Sequence, residues 1–161
     1  MAIGDTLLIF DPLAAHPPAT NFATLDLRGD FVVLDFDAST NESAQFHAVV
    51  PSHYKGGELR VTLTGTSSTA TSGAAKLRVE LTRIAAGDNL DSLPSADASA
   101  DLTVACPATS GLLVVSELSL LSVADLVAGD ILRVQVTRLA TDAADIMTGD
   151  WELVAVVVKE D

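Results

Sequence analysis

Apolar and polar residues alternate with a period of two in segment after segment of this chain, and helical periodicity scarcely appears. In an extended strand successive side chains point to opposite faces, so this alternation predicts half-buried β-strands. Eight segments carry it: 31–36, 43–49, 58–64, 76–84, 100–104, 112–120, 131–138 and 151–159. Between them lie turn signals such as Gly56-Gly57, Ser72-Gly73, Gly87-Asp88, Gly129-Asp130 and Gly149-Asp150. Eight strands predict two four-stranded sheets packed face to face, an all-β, jelly-roll-like antiparallel β-sandwich. Segments 6–10 and 23–27 read as additional edge pieces. Proline fixes φ and removes a backbone donor, so Asp11-Pro12 and His16-Pro17-Pro18 predict an extended N-terminal arm. One short helical turn is expected near 122–128, capped by Ser122 with Asp125 three residues on and ended by Gly129. The expected organisation is an arm with edge segments over 1–30 and one sandwich domain over 31–161. The longest loop is expected over 85–99, exposed because of its Gly, Asp, Asn, Ser and Pro content.

A length of 161 residues suits one such domain. The apolar residues, 48% of the chain, are mostly Ala, Val and Leu, and only 4% are aromatic, so recognition by stacked rings is disfavoured. Against 22 Asp and Glu stand 9 Lys and Arg, a net charge of −13. That balance argues against a nucleic-acid groove, which needs cations to displace counterions from phosphate, and disfavours an anionic membrane surface. The longest aliphatic run, 153–158, is far below the ~20 residues that span a bilayer. The first residues carry no basic leader, so synthesis in the cytoplasm without a signal peptide is expected. A lone Cys106 permits no internal disulfide and reads as a small buried hydrophobe.

One pattern recurs three times: Leu59-Arg-Val-Thr-Leu-Thr64, Leu77-Arg-Val-Glu-Leu-Thr82 and Leu132-Arg-Val-Gln-Val-Thr137. The unequal spacing excludes a solenoid. Alternation turns Leu and Val inward and places Arg60, Arg78 and Arg133 outward, while most acids fall in loops. In a jelly roll the second and third echo strands are neighbours, so Arg78, Glu80 and Arg133 are expected to form cross-strand ion pairs. Such pairs solubilise a face, each worth ~0–1 kcal/mol, or dock it on an acidic neighbour such as a second copy.

Catalytic chemistry is hard to find. The chain has no nucleophile elbow, phosphate loop, zinc-protease motif or dinucleotide fingerprint. His16, His47 and His53 show no metal-pair spacing, and adjacent Ser52 and His53 would point to opposite sides of an extended chain. Asp35 and Asp37 share one strand face ~7 Å apart, a separation available to a glycosidase pair, but no aromatic platform accompanies them. Asp142, Asp145 and Asp150 around Gly149 suggest either a Ca²⁺ loop or a solvated acidic turn. No catalytic residue, cofactor or metal is assigned.

The order of several segments resembles a family of small virion proteins of tailed bacteriophages. The likeness is carried by Leu34-Asp-Phe36, Glu42 with Phe46, Pro51-Ser-His-Tyr54 before Gly56-Gly57, and Thr69-Ala-Thr-Ser-Gly73. It continues through Arg83, Pro107-Ala-Thr-Ser-Gly111, Ala128-Gly-Asp130, Arg133, Arg138, Asp142, Asp145 and Gly149-Asp150. The chain departs from the family at Thr66 and Leu77, where larger aromatics are expected. The resemblance implies a non-enzymatic jelly-roll subunit on the outer surface of the virion. The expected role is a capsid decoration (cement) protein, a homo-oligomer expected to be a trimer, seated on the major capsid protein, without direct nucleic-acid or membrane contact. Expected contacts to a partner or another copy are Asp11, Pro12, His16, Pro17, Pro18 and Asn21 of the arm and Arg60, Arg78 and Arg133 of the strands. The alternative is a tail-associated or receptor-binding jelly roll that recognises host surface glycan.

Overall fold

The computed structural model describes residues 4–161. Met1, Ala2 and Ile3, where the expected arm begins, lie outside the described residues, as do the side chains of Ser119 and Leu120. Ten strands follow in order: β1 (Asp5–Phe10), β2 (Thr24–Arg28), β3 (Phe31–Phe36), β4 (Glu42–Val49) and β5 (Leu59–Ser67). They continue with β6 (Ala74–Ile84), β7 (Ala98–Ala105), β8 (Val114–Leu121), β9 (Ile131–Arg138) and β10 (Trp151–Glu160). The larger sheet runs β2-β3-β10-β5-β8, with β1 also on β10, and the smaller runs β4-β9-β6-β7. Every strand pairing is antiparallel. The expected two-sheet, jelly-roll-like sandwich is therefore observed, with ten strands because the two edge pieces join the larger sheet.

The three echo sequences supply much of the core. Leu59, Val61 and Leu63 of β5 face Leu77, Val79 and Leu81 of β6 and Leu132, Val134 and Val136 of β9 across the sandwich, all buried. Burying each such side chain contributes ~1.5–3 kcal/mol. β6 and β9 are neighbours, as expected, whereas β5 lies in the other sheet. Trp151 and Leu153 of β10 complete the layer, and the Trp151 indole leaves no room for a side chain at Gly65. β10 is shared between two partners on one edge, β3 along Trp151–Leu153 and β1 along its second half, with a bulge at Val154 between them.

Two local expectations are corrected. The segment after β1 is no free arm. Asp11 caps a 3-10 turn over Pro12–Ala14 by accepting the Ala14 N–H, and Pro12 is buried. Farther on, His16 exchanges both backbone hydrogen bonds with Gln45, and the Asn21 carbonyl accepts the Ser43 N–H. The free edge of β4 would otherwise leave these groups unpaired, and the segment covers it. Second, 122–128 holds turns and no helix, because Asp125 has φ 59°, a left-handed backbone that ends any helical run.

One buried ion pair organises the end of the sandwich where β9 leads to β10. Arg138 and Asp145 side chains are 0% and 1% exposed and paired two-pronged, at 2.9 Å from Nε and 2.8 Å from Nη2. The remaining guanidinium protons go to the carbonyls of Phe36, Gly149 and Met147. All five donors of the fork are thus engaged. Removing one partner of such a pair strands the other charge, so Arg138→Met and Asp145→Asn should each lower unfolding free energy by about 3–5 kcal/mol in urea denaturation. A loss below about 1 kcal/mol for both would show that the pair does not hold this loop.

Candidate functional site

The outward face of the smaller sheet is a grid of hydrogen-bonding side chains set by register. One row reads Ser43–Thr137–Arg78–Asp101 across β4, β9, β6 and β7, the next Gln45–Gln135–Glu80–Ser99, and a third His47–Arg133–Thr82. Antiparallel strands lie ~4.8 Å apart, so each row presents polar groups at regular steps. The second row is a chain of bonds: Gln45 Nε2 donates to Gln135 Oε1 at 2.7 Å, and Gln135 Nε2 donates to Glu80 Oε2 at 2.9 Å. Ser43 and Thr137 hydroxyls meet at 2.7 Å, and Arg78 grips Asp101 at 2.6 and 3.0 Å. Cross-linking of this kind fixes rotamers before any ligand arrives, which lowers the ordering cost of binding.

The proline segment borders this grid. His16 is carried onto the face by its backbone bridge to Gln45, and its ring stacks on His47 with centroids 4.5 Å apart and planes 19° apart. Beside it opens a crevice of about 250 Å³ lined by Pro12, Leu13, His16, Pro17, Phe22 and Leu25. His16 and Ser43 belong to both crevice and grid. A flat molecule with polar edges and an apolar face, as a sugar ring is, could bond the grid while resting on the crevice.

The structure brings together Arg78, Arg133 and His16 from the residues singled out in the sequence, with Pro12 and Pro17 in the adjoining crevice. Arg60 stands on the larger sheet, paired with Glu117 and Asp161, while Asp11 caps its turn and Asn21 (φ 52°) forms a corner beside β4. Pro18 is half-buried in the same segment. The expected ion pairs among Arg78, Glu80 and Arg133 are absent: register sets Arg78 against Asp101, Glu80 against Gln135 and Arg133 against Thr82. Gln45, Gln135, Ser43, Thr137 and His47 were missed as a group. Their signal was outward, uncharged and polar positions on alternating strands, which becomes a cluster only once pairing is known.

The carboxylate candidates serve other purposes. Asp37 Oδ1 accepts the Ser39 hydroxyl and the Ser39 and Thr40 N–H groups, which hold it down to about 2. Asp142 accepts the Ala144 N–H, Asp145 holds Arg138, and Asp150 accepts the Ala38 N–H. Among the described residues no group of three His, Cys, Asp or Glu is placed to hold a metal ion. Asp35 points out of the larger sheet, directly across from Glu152, and burial together with the Glu152 and Asp26 carboxylates pushes it up to about 7. Arg28 donates to Glu152 at 2.7 Å, and Asp35 Oδ1 is buried without a partner.

Asp35 gives the fold a pH dependence. The unfolded chain releases this proton near 3.8 and the native protein near 7, so the native state holds the extra proton between them. Stability from this group is therefore lost as pH rises from about 4 to 7 and is level above. Asp35→Asn should remove that slope and exceed the wild type by about 2 kcal/mol at pH 8, a figure discounted for partial solvent access. Urea midpoints of both proteins at pH 4.5 and pH 8 check this, and parallel pH profiles would contradict it.

No protein-family model matches the chain, and no curated protein sequence does. Solved structures do share its fold. The CBM36-1 domain of a multidomain xylanase from the hindgut metagenome of Trinervitermes trinervoides superposes with a TM-score of 0.58 at 8% identity, over 96% of this chain and 97% of that one. A family 35 carbohydrate binding module from an environmental isolate gives 0.57 at 10% identity, over 96% and 98%. The CBM22-2 xylan-binding domain from Paenibacillus barcinonensis gives 0.54 at 12% identity, over 96% and 99%. At such identities the likeness is one of fold, the jelly-roll sandwich that the resemblance to virion proteins also implied. None of these three is a virion protein.

Proposed function

We propose that the protein is a non-catalytic glycan-binding module that takes its ligand across the outer face of the smaller sheet. The observation that carries this reading is the bonded row Gln45–Gln135–Glu80 lying next to the crevice of Pro17 and Phe22. Sugar hydroxyls both donate and accept, and amide, carboxylate and hydroxyl side chains match both roles. Fold neighbours that are carbohydrate-binding modules support the same direction. Low aromatic content does not oppose it, because the polar row supplies orientation while Phe22 and the His16–His47 stack supply flat surface. The setting that joins this reading to the virion resemblance is a tail-associated module reading host surface glycan.

Affinity electrophoresis in gels containing xylan or β-1,3-galactan tests the reading. The wild type should be retarded by at least one of them, and Gln45→Ala with Gln135→Ala should weaken that retardation by roughly tenfold, the effect of two lost hydrogen bonds. Equal mobility of the wild type in all gels and in glycan-free gel would overturn it.

A capsid-decoration subunit is the second reading, favoured by one observation. The outer face of the larger sheet exposes Ile9, Phe31, Leu113 and Val115 around half-buried Val154, Ala155 and Val157, an apolar surface that another copy or a shell would cover. Many copies around the head in purified particles, and a trimer in light scattering, are its expected outcomes. A lasting 16.7 kDa monomer found only at the tail would remove it.

A further inference from the structure

Among the described residues, five of the six arginines lie within 4 Å of a carboxylate: Arg28 with Glu152, Arg60 with Glu117 and Asp161, Arg78 with Asp101, Arg83 with Asp130, and Arg138 with Asp145. Arg133 is the exception. Its Nη2 reaches only the Thr82 hydroxyl at 3.3 Å, and its Nε is buried without a partner. In a chain with 22 acidic residues an uncompensated guanidinium at the centre of a sheet face stands out. The acids around it are committed elsewhere: Glu80 accepts from Gln135, Asp101 is held two-pronged by Arg78, and Asp130 by Arg83. His47 is the cross-strand neighbour of Arg133 on β4, and His16 stacks on His47, so two imidazoles, each with one ring nitrogen able to donate, lie on the same face as the guanidinium. The half-buried guanidinium thus spends one bond on the Thr82 hydroxyl and keeps donors unused on a face that also carries the two rings.

We propose that this cluster is an anion subsite, and that the glycan bound by the face carries a carboxylate, as a uronic acid does, seated on Arg133 with His47 and His16 beside it. A planar carboxylate matches the guanidinium fork, and a charge-assisted bond is about twice as strong as a neutral one. The protein's own charge narrows the class further. A net −13 repels a polyanion, so the fitting ligand is a largely neutral glycan with isolated carboxylates. This inference rests on the glycan-binding reading and names the ligand class for the same site.

The test is affinity electrophoresis and titration calorimetry of the full chain with three probes: glucuronoxylan, the same polymer with its carboxyl groups chemically reduced to alcohols, and a sulfated galactan. Glucuronoxylan should bind at least tenfold more tightly than its reduced form, and that preference should vanish in Arg133→Met and partly return in Arg133→Lys. Raising salt from 20 to 200 mM should weaken glucuronoxylan binding and leave the reduced polymer unaffected. Arg60→Met, on the opposite sheet, should bind as the wild type does, and matching circular dichroism spectra establish that each variant folds. Equal binding of both xylans by wild type and Arg133→Met would overturn the anion subsite while keeping the glycan reading. Absence of binding to every probe would overturn both, and tighter binding to the sulfated galactan would overturn the carboxylate assignment.

Discussion

The Arg138–Asp145 pair sits where the strands of both sheets must be brought into one register. Arg138 ends β9 in the smaller sheet, yet its guanidinium donates to the Phe36 carbonyl at the end of β3 in the larger. Asp145 in turn accepts the Lys76 N–H near the start of β6. A single charged network therefore ties β3, β6, β9 and the chain entering β10. Two ions removed from water form a costly arrangement unless every donor is met, and here each proton of the fork has its acceptor. The polar grid depends on this anchoring, since β9 carries Arg133, Gln135 and Thr137 two, four and six residues after the strand's start at Ile131, all on one face. If β9 slipped by one residue, every one of those side chains would turn inward.

The two outer faces of the sandwich have been given different chemistry by the same alternation. On the smaller sheet the outward positions are amides, hydroxyls and charges already bonded to one another. On the larger sheet Ile9, Phe31, Val154, Ala155 and Val157 form an apolar middle beside threonines of β5, with the charged pairs Arg28–Glu152 and Arg60–Glu117 toward its margins. A recognition face gains from polar groups held in place, whereas an apolar face gains from being covered. This asymmetry puts the two proposed readings on opposite sides of the sandwich, where they share no residue.

Much of the architecture was legible in the sequence because period two is a strong and local signal. The echoes at Leu59, Leu77 and Leu132 named core strands, and outward Arg78 and Arg133 were read correctly from alternation alone. The proline segment misled, since Pro17 and Pro18 report backbone dihedrals but say nothing of the β4 edge waiting for His16 and Asn21. The turn at 122–128 misled for a similar reason: the Ser122 and Asp125 spacing fits a capping box, while the left-handed Asp125 follows from tertiary context. The site was legible only in part. Gln45 and Gln135 are unremarkable as sequence, and His16 and His47 lie 31 positions apart, so only the pairing of strands makes them neighbours.

The proposed function puts ligand across the outer face of the smaller sheet. Its most direct measurement is a heteronuclear NMR titration of the labelled protein with xylan-derived acidic oligosaccharides. The expected footprint is a set of shift changes at the backbone amides of β4, β9 and β6, the side-chain amides of Gln45 and Gln135, and the His16 and His47 rings. Shifts confined to Ile9, Phe31 and Val115 on the larger sheet, or to the 85–97 loop, would contradict it.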